Sequence, residues 1–227
     1  MSYGGSFRSA YLPLKQVITG PAEAFSYIRT SGPATTPISL SELKSYLKIT
    51  TSTDDTLLLL IIDLVTEVAE KIMRRDLISK TYTTYRDAIS FTSKYLVLRR
   101  SKLLAVNYIK YIDINDVLIT ISPTIYSNTI EADYSKIFLN KNENWPSDVQ
   151  DVPQAIQISF DAGYGTLSID VPADIRGALL QHAALFYENR GDCACDGVGA
   201  ELSLPSQSRK IYDLYKIRQV ITMQNFF

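Results

Sequence analysis

A chain of 227 residues that is 46% hydrophobic and 21% charged is long enough for one or two domains and too apolar to stay disordered. Its 23 basic and 24 acidic side chains give a formal net charge of -1, which excludes the basic excess of a protein that grips free nucleic acid. Tyrosine alone stands out, with 15 copies against 8 Phe and 1 Trp; its apolar body and wet tip suit half-buried surfaces.

Residues 1–37 are punctuated by Gly4-Gly5, Gly20-Pro21, Gly32-Pro33 and Pro37 and read as an extended arm. No continuous apolar run follows Arg8, so no secretory leader is expected. A helix is predicted over 39–49, where Ser39 and Glu42 form a capping box and Leu40, Leu43 and Leu47 supply the apolar face. A longer helix is predicted over 54–76, with Leu57, Ile61, Leu64, Val68 and Ile72 as its stripe and Asp63, Glu67, Glu70, Lys71 and Arg74 opposite. Residues 57–62 are apolar on every side. Such a turn is either threaded through the chain's own core or shared with a second surface. The block is far short of the roughly 20 residues of a membrane span, so no membrane association is expected.

From 81 to 161 the period changes to two. Strands are expected at 81–86, 95–99, 106–112, 117–121, 137–139 and 156–160, with Asn115-Asp116 turning a hairpin. The connections are too short for crossover helices, so the sheet is expected to be antiparallel. A third helix is predicted over 172–190, opened by Pro172 and Asp174, carrying Ile175, Leu179, Ala183 and Phe186, and ended by Arg190-Gly191. A small-residue loop follows to 202. Beyond Pro205, Ile211, Leu214, Tyr215 and Ile217 suggest a short last helix, and Phe226-Phe227 form an apolar tail that should dock on something. The fold class is α+β: a bundle of about four helices with an antiparallel β insertion between the second and third, plus extended arms at both ends. The chain divides into an arm at 1–37, a body at 38–203 and a docking helix and tail at 204–227.

No phosphate loop, dinucleotide fingerprint or nucleophile elbow is present. Gly163-Tyr-Gly165 is too short for a phosphate loop and fits a sharp turn. His182, the only histidine, lies beside the apolar stripe of its helix and reads as a packed side chain. Cys193 and Cys195 are too close for an unstrained disulfide and too few for a structural zinc site, so they read as reduced loop thiols. Asp54, Asp55 and Asp151 read as caps and solvated loop residues rather than a metal pair. No catalytic residue, cofactor or metal is expected, and the chain is not expected to be an enzyme.

The order of motifs resembles a known family. Pro37-x-Ser-Leu-x-Glu-x-Lys-x-x-Leu-Lys48 is followed by Asp54-Asp-x-Leu57 and by 70–78, which ends in Arg75-Asp-Leu-Ile78. A β insertion containing Trp145-Pro146 closes with Phe160-Asp-Ala-Gly-Tyr-Gly165. Val171-Pro-Ala-Asp-Ile-Arg176 then leads into Phe186-Tyr-Glu-Asn-Arg190, and Leu204-Pro205 precedes a basic, aromatic tail. This pattern resembles the head–tail connector (adaptor, head-completion) proteins of tailed bacteriophages and gene transfer agents. The long N-terminal arm, the Cys-x-Cys loop and the length of the β region depart from it.

The resemblance implies a structural protein forming a ring, usually of twelve copies, below the portal of a DNA-filled head. A neck or tail protein (a stopper or tail terminator) would bind below it, and double-stranded DNA would pass through its lumen. The particle neck would be its location, after assembly in the host cytoplasm. It implies a subunit contact through Leu57, Leu58, Leu59, Leu60 and Ile62. Portal contacts would fall on Arg209, Tyr212, Tyr215, Arg218, Phe226 and Phe227, unless the last helix folds back on its own core. The two tyrosine groups, Tyr82, Tyr85, Tyr95, Tyr108 and Tyr111 on the insertion and Tyr212 and Tyr215 on the tail, would meet neighbours. The alternative is a monomeric binding module, or a tail-terminator or neck protein, that recognises its partner through the β insertion.

Overall fold

A computed structural model of the chain describes residues 27–88, 94–98, 100, 102–130, 135–189 and 204–217. The elements run β1 (Tyr27–Ser31), α1 (Leu40–Leu47), α2 (Asp55–Met73), β2 (Lys80–Arg86), β3 (Tyr95–Leu98), β4 (Leu103–Ile112), β5 (Leu118–Thr120), β6 (Tyr126–Ile130), β7 (Ser135–Leu139), β8 (Ile156–Ala162), α3 (Ala173–Glu188) and α4 (Ser206–Tyr215). Among the described residues four helices and antiparallel sheets thus form, the helices and six of the eight strands where the two periodicities predict them. The expected Arg190-Gly191 helix end and both cysteines lie outside the described residues.

Ser39 caps α1 as predicted: its hydroxyl accepts from the Glu42 N–H at 3.2 Å, and the Glu42 carboxylate accepts from the Ser39 N–H at 2.7 Å. Those hydrogen bonds, with Arg176 beside the carboxylate, outweigh burial and hold Glu42 below the usual carboxylate range. Leu43 of α1, Leu58, Ile61, Ile62, Val65, Ala69 and Met73 of α2, Ile175, Leu179 and Ala183 of α3 and Tyr212 of α4 share one core. The buried stripe of α2 is displaced by about one residue from the predicted one. Leu64 is 38% exposed, and Leu57, Val68 and Ile72 lie at the rim.

The β strands form two sheets, ordered β1-β2-β8-β4-β5 and β3-β7-β6, with every adjacent pair antiparallel. Register sets the faces. Tyr82 lies opposite Phe160, Thr84 opposite Ile158 and Arg86 opposite Ile156, so the even positions of β2 and β8 point into a second core, which Leu96, Leu98 and Ile137 of the smaller sheet also fill. Asp113 closes the β4–β5 hairpin: its carboxylate accepts from the Asn115 and Val117 N–H groups, both at 2.8 Å, while Asp116 takes the left-handed conformation (φ 62).

Two strands differ from the sequence reading. Residues 27–31, expected as part of an extended arm, are an edge strand on β2, with Ile28 opposite Thr83. Residues 126–130 form β6, which had been expected as a connection. Residues 1–26 of the predicted arm are outside the described set. Where the insertion rejoins the bundle, Gly163 has φ 150, and a Cβ there would lie 2.8 Å from the Ser79 backbone, so only glycine fits the turn.

Candidate interaction surfaces

The C-terminal end of α2 is tied to the sheet by a buried polar cluster. The Asp76 carboxylate, 2% exposed, accepts from the Tyr82 hydroxyl at 2.7 Å and from Arg100 Nε and Nη2 at 3.1 and 3.2 Å. Lys80 lies 3.4 Å from the same carboxylate and pairs with Glu70. Glu70 also accepts from the Leu77 N–H at 2.9 Å. Arg100 donates to the Tyr82 hydroxyl and stacks 4.4 Å from its ring centroid. Burial raises Glu70 above the usual carboxylate range against the pull of Lys80, and burial followed by Asp76 pushes the Tyr82 phenol up. Two carboxylates meet two cations, so the cluster is neutral and satisfied. It is a joint rather than a reactive site. Among the described residues no group of three or more His, Cys, Asp or Glu side chains could hold a metal ion. Asp55 pairs with Lys44, and Asp54 accepts from the Tyr187 hydroxyl at 2.5 Å. No described helix is long and apolar enough to cross a membrane.

The 57–62 turn of α2 divides. Leu58 and Ile62 are wholly buried in the helical core, so these two of the five residues expected at a subunit contact have no surface to offer. Leu57 is half-buried at the rim. Leu60 is 63% and Leu59 47% exposed. Leu60 and Leu64 lie one turn apart on one flank with Leu57 a turn before them, and Leu59 lies on the other flank beside Asp63. The apolar surface of α2 is therefore carried by Leu57, Leu59, Leu60 and Leu64. Leu64 was misplaced in the sequence reading because a run apolar on every side has no phase.

The last helix packs by its 208, 212 and 215 positions, spaced i, i+4, i+7. Ser208 donates to the Ala178 carbonyl at 2.9 Å, and the Tyr215 hydroxyl donates to Asp174 at 2.8 Å. Tyr212 is wholly buried against α3, 3.4 Å from His182 Nδ1. The expectation of Tyr212 as a portal contact is therefore corrected: it anchors α4 to its own core. Arg209 is exposed and Tyr215 half-buried, whereas Arg218, Phe226 and Phe227 lie outside the described residues. Arg75 Nε donates to the Tyr215 carbonyl at 2.5 Å and the Ile217 N–H to the Met73 carbonyl at 2.9 Å, so the chain leaves α4 beside the end of α2. Leu214, at 80% exposed, is the outward apolar residue of α4. Of the insertion tyrosines, Tyr82 and Tyr111 are buried, Tyr85 and Tyr108 half-buried and Tyr95 exposed, so the group is not one surface. Sequence reasoning missed Ile114, Val117 and Leu118, which are 68%, 53% and 53% exposed at the β4–β5 tip.

His182 is wholly buried between Phe186 and Tyr212, with no hydrogen-bond partner for Nε2 among the described residues. Burial lowers its pKa to about 4 from an unfolded value near 6.5. Between these values the unfolded chain binds the proton and the folded chain does not, so stability is full above pH 6.5 and falls as pH drops toward 4, by up to about 3 kcal/mol. Urea unfolding at pH 7, 6 and 5 should show the midpoint falling, and His182→Phe should flatten the slope above pH 5. An unchanged slope in the variant would mean that another group titrates.

Residues 37–113 match the family described as phage gp6-like head-tail connector protein. No curated protein matches the chain. Among solved structures, a chain from the neck of an empty gene transfer agent particle computed with C6 symmetry is similar at TM-score 0.67 and 18% identity, covering 87% of this chain and 98% of that one. A chain from the neck of the native particle computed with C12 symmetry gives the same values, and one from the virion of the native particle gives TM-score 0.64 at 18% identity over 86% and 97%. The likeness to these chains is one of fold. The resemblance drawn from the sequence thus has its counterpart in two comparisons, the match of residues 37–113 to the phage gp6-like head-tail connector family and the shared fold of gene transfer agent neck chains.

Proposed function

We propose that the chain is a non-catalytic head–tail adaptor of a phage-like particle, and that twelve copies form a ring between the portal and a stopper or tail-terminator protein below. The observation that carries this reading is the coincidence of the family match at 37–113 with a fold shared over nearly the whole length of neck chains. Leu57, Leu59, Leu60 and Leu64 face the neighbouring subunit, since a ring gives each copy a different patch on either side. Near-neutral charge suits a lumen through which DNA slides, because each phosphate contact would add affinity and friction. The site of assembly is the host cytoplasm and the final location the particle neck.

Arg209, Tyr215, Arg218, Phe226 and Phe227 contact the portal. The support is that Ile217 is fastened to the end of α2, so the following residues start from a fixed point. Twelve such tails need only be weak individually, because after the first has docked the rest act at high effective concentration. Removal of the residues after Val220 should leave circular dichroism unchanged and reduce co-purification with portal at least tenfold; equal recovery of portal would overturn the tail's role. The exposed Ile114, Val117 and Leu118 favour one addition to this reading, a contact through the β4–β5 tip to the protein below.

A further inference from the structure

Opposite its core side, α2 forms one wall of a cleft of about 850 Å³, whose other wall is β1 with the 33–37 segment. Asp63, Thr66, Glu67, Glu70, Lys71 and Arg74 line it at helical spacing, and Tyr27, Arg29, Pro33 and Pro37 face them. Six cationic side chains and four carboxylates line the cleft. The carboxylates are largely committed: Glu67 to Lys71, Glu70 to Lys80, and Asp76 to Tyr82 and Arg100. Arg29 and Arg74 have no hydrogen-bond or ion-pair partner among the described residues, and both are exposed. Asp63 is the one lining carboxylate equally uncommitted. Two arginines that no described residue neutralises, set in a concave space with prolines on the far wall, form a receptor for carboxylates, which guanidinium forks bind in bidentate fashion.

We propose that this cleft binds an extended acidic polypeptide segment of an assembly partner, with Arg29 and Arg74 as the recognising groups. Its volume falls within the range of ligand pockets and suits a few residues of peptide. The inference is independent of the ring, because the cleft is complete within one chain.

The test uses the full chain and a fluorescein-labelled hexapeptide of alternating glutamate and aspartate, followed by fluorescence anisotropy at 50 mM salt. Saturable binding is expected, with none to the glutamine–asparagine counterpart. Arg29→Ala with Arg74→Ala should weaken it at least tenfold while the thermal midpoint stays unchanged. Asp63→Asn should tighten it two- to threefold, a gain that a folding defect cannot mimic. Absent or unsaturable binding, or equal binding by the double variant, would overturn the proposal. A labelled 20-base-pair duplex that bound more tightly than the peptide and lost affinity in the same variant would overturn it in favour of nucleic acid.

Discussion

Asp76→Ala should lower the unfolding free energy by about 3–5 kcal/mol, a large share of the roughly 5–15 kcal/mol that holds a typical domain folded. Its carboxylate, 2% exposed, faces the Tyr82 hydroxyl, both nitrogens of the Arg100 fork and Lys80, itself 7% exposed. Removal leaves two cations facing Glu70 alone, Lys80 at 7% and Arg100 at 35% exposure, and an uncompensated buried charge costs more than the pair was worth. The exposed Lys71–Glu67 pair, whose side chains are 76% and 68% accessible, is the contrast: Glu67→Ala should change stability by less than about 0.5 kcal/mol. Urea unfolding followed by circular dichroism reads both. A loss below about 1 kcal/mol for Asp76→Ala would mean that the cluster is solvated and does not lock the insertion to the bundle.

The second large effect separates neighbours on α2. Leu58 is wholly buried, and Leu58→Ala should cost about 2–5 kcal/mol through lost burial and the cavity left behind. Leu60, two residues on, is 63% exposed. Leu60→Glu should leave stability within about 0.5 kcal/mol and yet prevent ring formation, since a buried unpaired carboxylate is not tolerated at an apolar contact. The sequence reading placed both residues at the subunit contact. Global unfolding of Leu60→Glu would instead put that flank in the chain's own core.

The difference between these leucines shows where sequence information ended. The capping box of Ser39 and Glu42 was legible because it is local, three residues apart with its own hydrogen bonds. The β4–β5 turn was legible for the same reason. The phase of α2 was not: six consecutive apolar residues favour no face, and only packing against α1, α3 and α4 selects Leu58, Ile61 and Ile62. Strand β1 was hidden because its partner lies about fifty residues later, and an edge strand of sequence Tyr-Ile-Arg-Thr-Ser lacks clean alternation. Strand β6, Tyr-Ser-Asn-Thr-Ile, has the same weakness. The acidic residue and Arg-x-Leu-Ile ending of the motif at 70–78 were visible as pattern but not as purpose. Their partners are Lys80 and Tyr82 of β2 and Arg100 between β3 and β4, and no spacing announces them. Tyr212 was read as a contact because an aromatic residue on a short terminal helix looks available, whereas burial against α3 fixes it.

Negative-stain electron microscopy of the wild-type chain mixed with its portal tests the adaptor reading most directly. The expected image is a coaxial ring stacked on the portal, present for the wild type and absent for Leu60→Glu at the same protein concentration. A portal left undecorated by the wild-type chain, or decoration of a tail tube in its place, would contradict it.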